Sequence, residues 1–351
     1  MKGMLAVVSS IGLTALSWGL YGPTLHQGQH LMHPQNLSRL RPFMCVGIAY
    51  FVIAVLVPGL LLLRGETGKW TRPGTFWSLA AGAAGAIGAL GIVMAFTFGG
   101  KPLYVMPLVF GCAPVVNTFL TMFMLSTFRQ CGPKFYAGLI MVVTGAVMVM
   151  VFKPSPLAAS AHAANLPHAP AVAAAVNMPL VIFFVAATAL AWGVYGPVLH
   201  KGQATMAGSR LRPLICVGIA YFLIAVIVPG VMLAVRGEPG GWTVGGSIWS
   251  LAAGTAGAVG ALGIIMAFNF GGKPIYVMQL EFGCAPVVNT LYTMINTKAY
   301  NAQPVFFLGL VLVAAGAVMV LVFAPKPGKK PAAPPPEPVA ADVEAPAVEA
   351  P

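Results

Sequence analysis

Apolar residues run along this chain in long blocks, broken by short polar or Pro/Gly-containing interruptions. Blocks of about the 20 residues that a bilayer-crossing helix needs fall near 4–25, 43–63, 76–98, 103–127, 134–152, 178–199, 214–235, 248–270, 275–297 and 304–324. The pattern predicts an all-α membrane protein with ten transmembrane helices. The first block, "MKGMLAVVSSIGLTALSWG", has the positive start and apolar middle of a secretory leader. That reading fails because "GLTALSWGLYGPTLHQGQ" from Gly12 returns as "AATALAWGVYGPVLHKGQ" from Ala186. A segment that recurs deep inside the chain is a retained helix.

Composition strengthens the membrane reading. Hydrophobic residues make up 58% of the chain, charged residues only 7%, and mean hydropathy is +0.87, far from the usage of soluble domains. The five cysteines include two matched pairs, Cys45 with Cys216 and Cys112 with Cys284. We read them as small packing residues, since none has metal-ligand spacing.

Almost all of residues 1–153 recurs in 178–326, so one five-helix unit is used twice. An odd number of crossings per unit forces the second copy to enter the membrane upside down, giving two inverted five-helix repeats. The basic residues carry this further. With a cytoplasmic N-terminus, thirteen Lys and Arg fall inside (Lys2, Arg64, Lys69, Arg72, Arg129, Lys134, Lys201, Arg210, Arg212, Lys273, Lys326, Lys329 and Lys330). Six fall outside: Arg39, Arg41, Lys101, Lys153, Arg236 and Lys298. The bias predicts N- and C-termini in the cytoplasm and a multi-pass protein of the bacterial inner membrane. The net charge of +12 is then mostly topology, and with basic residues scattered in ones to threes no nucleic-acid partner is expected. An Ala/Pro-rich outer linker, 154–177, and a Pro/Ala-rich cytoplasmic tail, 327–351, fall outside the repeat and are expected to be disordered. His162 and His168, six residues apart in the linker, make a poor metal pair.

Polar residues inside the apolar blocks are the candidate chemistry. "GGKPIYVMQLEFGCAPVVNT", 271–290, carries Glu281 where its twin "GGKPLYVMPLVFGCAPVVNT", 99–118, carries Val109. Among seven acids, Glu281 alone lies in a predicted span, seven residues or about 10 Å past Pro274. An ionised carboxylate there costs at least about 2.5 kcal/mol, so such a residue faces a cavity, takes a proton or pairs with a cation. Gln279 replaces Pro107 and Asn269 replaces Thr97, which predicts a polar cluster present only in the second copy. Pro114 and Pro286 leave the carbonyls of Phe110 and Phe282 without their helical donors and predict interrupted helices. Asn117 and Asn289, three residues later, are placed either to satisfy a carbonyl or to hold a ligand. Gly82, Gly85, Gly88 and Gly91, matched by Gly254, Gly257, Gly260 and Gly263, step about 60° per repeat and cover a broad arc open to close approach. Lys101 and Lys273 in "FGGKP" are either gate residues for an anionic group or anchors snorkelling to headgroups. His26 and His200 are either proton carriers at the ends of a pathway or polar caps.

These features together resemble the drug/metabolite transporter superfamily. Trp-Gly sits midway in the first helix of each unit ("SWGLYG", "AWGVYG"), Arg precedes the second ("RLRP"), and "GLIMVVTGAVMVMV" and "GLVLVAAGAVMVLV" look like the closing helices of EamA-type members. The Gly-rich third helix is also similar to that of the bacterial sugar-porter branch, which includes rhamnose and glucose/ribose porters. The resemblance implies a secondary transporter that moves a small polar metabolite by alternating access. It implies a central cavity between the first, third and fourth helices of both units, with Trp18, Tyr21, Asn117, Trp192, Tyr195, Glu281 and Asn289 around it. It supplies no coupling acid for Glu281; proton coupling there rests on the burial argument. No enzyme is expected, because neither His-Glu-x-x-His nor Gly-x-Ser-x-Gly occurs, and no cofactor or metal is assigned. The expected partners are the bilayer, a small-molecule substrate and protons, with the oligomeric state left open. A non-transporting scaffold or sensor is the alternative of a different class.

Overall fold

The computed structural model describes residues 2–33, 37–126, 131–152, 176–297 and 303–323. The 154–177 linker lies outside them apart from its last two residues, and the 327–351 tail lies outside them entirely. Among the described residues there is no strand. We number the helices α1 (Lys2–Met32), α2 (Leu40–Leu62), α3 (Arg72–Thr97), α4 (Pro102–Leu125), α5 (Pro133–Val151), α6 (Met178–Thr205), α7 (Leu211–Arg236), α8 (Val244–Asn269), α9 (Pro274–Thr297) and α10 (Pro304–Phe323). Six of them, α1, α2, α3, α6, α7 and α8, are long and apolar enough to cross a membrane. Shorter apolar stretches, Leu108–Met124 and Pro304–Val320, lie in α4 and α10.

Several boundaries depart from the apolar blocks. Helix α1 runs on to Met32 and α6 to Thr205, about two turns beyond the hydrophobic pattern. The extension is polar in sequence but has buried partners: Gln29 Nε2 donates to the carbonyls of Ser38 (3.0 Å) and Val93 (3.4 Å), and Gln203 Nε2 to that of Ile265 (3.2 Å). Helices α4 and α9 are continuous through Pro114 and Pro286, where interruption was expected. Neighbouring hydroxyls work beside the prolines, Thr118 Oγ1 donating to Pro114 O at 2.8 Å and Thr290 Oγ1 to Pro286 O at 2.7 Å. These hydroxyls reach the prolines' own carbonyls and not those of Phe110 and Phe282, so helix continuity rests on packing against neighbouring helices. Helices α2 and α7 instead contain one π-helical turn each, Val52–Leu56 and Leu223–Ile227.

Equivalent helices of the two sequence copies meet antiparallel. In α2 and α7 the rings of Tyr50 and Tyr221 stack at 3.6 Å and 3°, and Phe51 lies against Phe222 at 4.6 Å. On either side of these rings, Gly47 abuts Ala225 and Val226 while Gly218 abuts Ala54 and Val55, so each π turn rests on the other helix's glycine. In α5 and α10, Gly138 abuts Gly316 and Met319 while Gly145 abuts Gly309 and Val313. Small residues at these crossings let backbones approach, which in an apolar setting is where the packing energy comes from. First helices cross over to the other copy: α1 packs on α8 and α9, and α6 on α3 and α4. Thr14 Oγ1 donates to Gly260 O at 3.0 Å and Trp18 Nε1 to Gly257 O at 3.4 Å; in the other copy Thr188 Oγ1 donates to Gly88 O and Trp192 Nε1 to Gly85 O, both at 3.2 Å.

Candidate functional site

The glycine stripe explains what gathers at the centre. A Cβ at Gly82 would meet the Val217 backbone, at Gly85 the Tyr221 ring, at Gly88 the Trp192 indole and at Gly91 the Thr188 hydroxyl; Gly254, Gly257, Gly260 and Gly263 face Val46, Tyr50, Trp18 and Thr14 in the same order. The broad arc expected of these glycines is therefore used up by side chains of two helices on each side. The rings they admit enclose a cavity of about 20 Å³ lined by Trp18, Tyr21, Tyr50, Gly85, Trp192, Tyr195, Tyr221 and Gly257. Every lining residue has its sequence equivalent among the lining residues as well. That volume holds about one water molecule. Trp18 and Trp192 stack at 5.9 Å and 23°, Tyr21 meets Trp192 edge-on at 6.2 Å, and Phe110 and Phe282 back the indoles at 5.7 Å each. The Tyr21 and Tyr195 hydroxyls have no hydrogen-bond partner.

Glu281 lies in α9 just beside this cage. It is fully buried, neither carboxylate oxygen has a hydrogen-bond partner, and Phe282 next to it packs on Trp18. Its surroundings include the Tyr195 hydroxyl, Cys284 and Thr14, whose single hydroxyl proton lies among the carbonyls of Ser10 and Gly260 and the Glu281 carboxylate. Val109, the apolar twin, sits equally buried in the core.

Gln279 points away from Glu281 toward α4. Its Nε2 donates to Pro114 O at 2.9 Å and makes a very short contact with Thr118 Oγ1. Asn117 Nδ2 donates to Pro274 O at 3.2 Å, so this amide satisfies a backbone carbonyl. Asn289, its equivalent, is fully buried with both side-chain atoms unpartnered, two turns along α9 from Glu281. Asn269 is not brought to the cluster: it is exposed at the end of α8 and donates to Gly208 O at 3.1 Å. The polar additions of the second copy thus divide into a helix-end contact, an α4–α9 bridge and the lone acid.

The four gate candidates form two equivalent pairs. His26 stands edge-on to Phe96 at 5.4 Å within electrostatic range of Lys101, and His200 edge-on to Phe268 at 4.9 Å within range of Lys273. His200 also lines an open cleft of about 580 Å³ with Thr121, Phe123, Met124, Pro197, Lys201, Ala204 and Pro274. Lys201 there has its ammonium 3.8 Å above the Trp77 ring. Among the cysteines, Cys45 and Cys216 are buried as expected of packing residues, whereas Cys112 is exposed on α4.

Sequence reasoning passed over Tyr50 and Tyr221, which complete the cage, and Glu66 and Glu238, which hold the periphery. Glu66 accepts from the Ser209 hydroxyl (2.6 Å), the backbone amides of Arg210 (2.8 Å) and Leu211 (3.2 Å), and Arg212 Nη1 (3.1 Å). Burial would raise its carboxyl, but these donors outweigh it and hold Glu66 below the usual 4.5. Glu238 repeats the arrangement with Ser38, Arg39, Leu40 and Arg41. The readable signal was the pairing of "RGE" in one copy with "SRLRP" in the other. Each acid caps the N-terminus of a helix in the opposite copy, where a negative charge is favoured.

No family model and no curated protein matches this chain. Among solved structures, one crystal structure of a protein aligns over 92% of this chain and 97% of its own, at 20% identity and a TM-score of 0.59. At that identity the likeness bears on the fold alone.

Proposed function

We propose that the protein is a secondary-active membrane transporter of the drug/metabolite transporter type, EamA-like, moving a small polar metabolite by alternating access with proton coupling at Glu281. The observation that carries this reading is the meeting of equivalent helices, antiparallel, around a shared cavity beside a lone buried acid. Antiparallel equivalents are what two inverted five-helix repeats with ten crossings require. In this reading α4, α5, α9 and α10 complete the crossings by packing against their neighbours. The cage is narrow here, so a substrate would enter when the two copies rock apart on one side. Charge bias is what supports both termini being cytoplasmic; loop pairing supports only that the paired loops share a side of the membrane. Glu66 joins Arg210 and Arg212, all assigned inside, while Glu238 joins Arg39 and Arg41, all assigned outside.

A sugar porter of the rhamnose or glucose type is the second reading, favoured by the unpartnered hydroxyls of Tyr21 and Tyr195 on the ring-lined cavity and by the unpartnered amide of Asn289 in α9. Uptake of radiolabelled sugars, nucleosides, amino acids and amines into proteoliposomes, with and without a pH gradient, tests the proposal. Saturable uptake that rises with the gradient is expected. Absence of uptake and of exchange for every class would overturn it.

A further inference from the structure

We propose that the open cleft between α4, α6 and α9 holds one anionic phospholipid by its phosphate; this needs only membrane placement and does not rest on transport. The cleft, of about 580 Å³, lies where the C-terminal ends of α4 and α6 meet the start of α9. Lys201 and Lys273 assign that end to the cytoplasmic side. No Asp or Glu is among the described lining residues, which include His200 and Lys201, and Lys273 stands within electrostatic range of His200. The Lys201 ammonium rests 3.8 Å above the Trp77 ring, a contact that holds the cation without cancelling its charge. Among the described residues it makes no ion pair. Basic pockets between helices on the cytoplasmic side are where anionic headgroups are held. The remaining wall suits a lipid rather than a free anion: Phe123 is 73% exposed, and Met124 and Ala204 continue the apolar surface. An acyl chain can lie along it without losing a hydrogen bond, whereas a small hydrophilic anion leaves it unused.

A buried hydroxyl in the wall points to the ligand independently of charge. Thr121 lines the cleft, is only 2% exposed, and its Oγ1 has no hydrogen-bond partner. Its equivalent in the second copy, Thr293, donates to Asn289 O at 2.7 Å, and Thr118 on the same helix donates to Pro114 O at 2.8 Å. Of these three threonines Thr121 alone keeps its proton to give, and a buried donor without an acceptor is costly. A phosphate oxygen accepts that proton while its charge meets Lys201. A zwitterionic headgroup offers the same oxygen but brings its own cation beside the lysine. The first copy has Gln27 where the second has Lys201, so the lysine of this site is present on one face of the protein only, and a single leaflet is served.

The test is native mass spectrometry of the purified full chain in detergent, titrated with dioleoyl phosphatidylglycerol and dioleoyl phosphatidylcholine. Inorganic phosphate and glycerol 3-phosphate serve as soluble anions. One phosphatidylglycerol should be retained per chain with an affinity about fivefold or more above that of phosphatidylcholine, the gain that one lysine near an anionic headgroup gives. Lys201→Gln, which copies Gln27, should lose about that fivefold. Lys69→Gln removes a charge assigned to the same side but outside the cleft, and should stay within about twofold of the parent. Thr121→Val should weaken phosphatidylglycerol about tenfold, and Thr121→Ser should restore it. If Thr121→Val fails to fold, the contrast between Lys201→Gln and Lys69→Gln decides the matter. Equal affinity for the two lipids, or equal losses in Lys201→Gln and Lys69→Gln, would overturn the proposal. Inorganic phosphate or glycerol 3-phosphate binding as tightly as phosphatidylglycerol would overturn it too, by making the cleft a site for soluble anions. Binding is read with no transported substrate present, so each of these failures leaves the transport reading standing, and failure of transport leaves the lipid site standing.

Discussion

Glu66 and Glu238 each lie almost wholly out of water, with side chains 3% and 5% exposed, and each ties the loop of one copy to a helix start of the other. Turning one carboxylate oxygen of such an acid into an amide NH2, a donor, leaves part of the amide and guanidinium set without an acceptor, a cost of about 1–3 kcal/mol. Glu66→Gln should therefore lower the melting temperature in detergent by on the order of a few degrees, and Glu66→Asp, one methylene short, should fall between. Because the folded carboxyl of Glu66 titrates below its usual 4.5, its contribution is complete above that pH and is lost as pH falls through the depressed folded value. The melting temperature of the parent protein should thus decline on acidification toward that of Glu66→Gln, and the gap between them should close. A gap that persists unchanged at low pH would show that the acid's charge does not matter there. This role was missed in the sequence because "RGE" and "SRLRP" meet only across the two copies, so the cap shows no signal within either segment alone. Glu281 was legible for the opposite reason: a charge inside an apolar block needs no partner to stand out.

At the scale of elements, the apolar blocks located the helices well and their ends poorly. Ends are set by tertiary donors and acceptors, as with Gln29 and Gln203 beyond the hydrophobic pattern, and such contacts have no periodicity. The prolines of α4 and α9 misled for a similar reason, since the packing of α4 on α6 and α9, and of α9 on α1, keeps these helices continuous and has no local signature. The glycine arc was readable as a surface of close approach, but not what approaches it. That assignment can be tested one position at a time. A methyl group at Gly88 or Gly260 would strike the indole of Trp192 or Trp18, so Gly88→Ala and Gly260→Ala should each destabilise by about 1–3 kcal/mol through overpacking and alter tryptophan emission. Gly59→Ala, where nothing lies within 4 Å, should melt like the parent. Equal melting of all three variants would contradict the close indole packing.

For the whole molecule, repetition and charge bias carried the sequence to two units of opposite orientation, and the antiparallel crossings of α2 with α7 and α5 with α10 supply the geometry such units need. Of the cage, Trp18, Tyr21, Trp192 and Tyr195 were expected from the resemblance. What could not be read was that Tyr50 and Tyr221 of the second helices line it in place of Asn117, Glu281 and Asn289 of the fourth, because the lining comes from six helices spread over both copies. The proposed topology has a direct check. Single cysteines placed in 154–177 should react with an impermeant thiol reagent added outside intact cells, and cysteines placed after Lys330 should not; the reverse pattern would overturn the orientation. Coupling at Glu281 is the central claim, and the asymmetry of the copies sharpens it. Val109→Glu should not rescue Glu281→Val, because Gln279 reaches α4 from the second copy only. The most direct measurement compares Glu281→Gln with the parent protein in proteoliposomes, for a transported substrate, in two modes: uptake driven by a pH gradient, and exchange between labelled and unlabelled substrate without one. The account predicts that gradient-driven accumulation disappears in the variant while residual exchange persists. Undiminished accumulation in Glu281→Gln would contradict it.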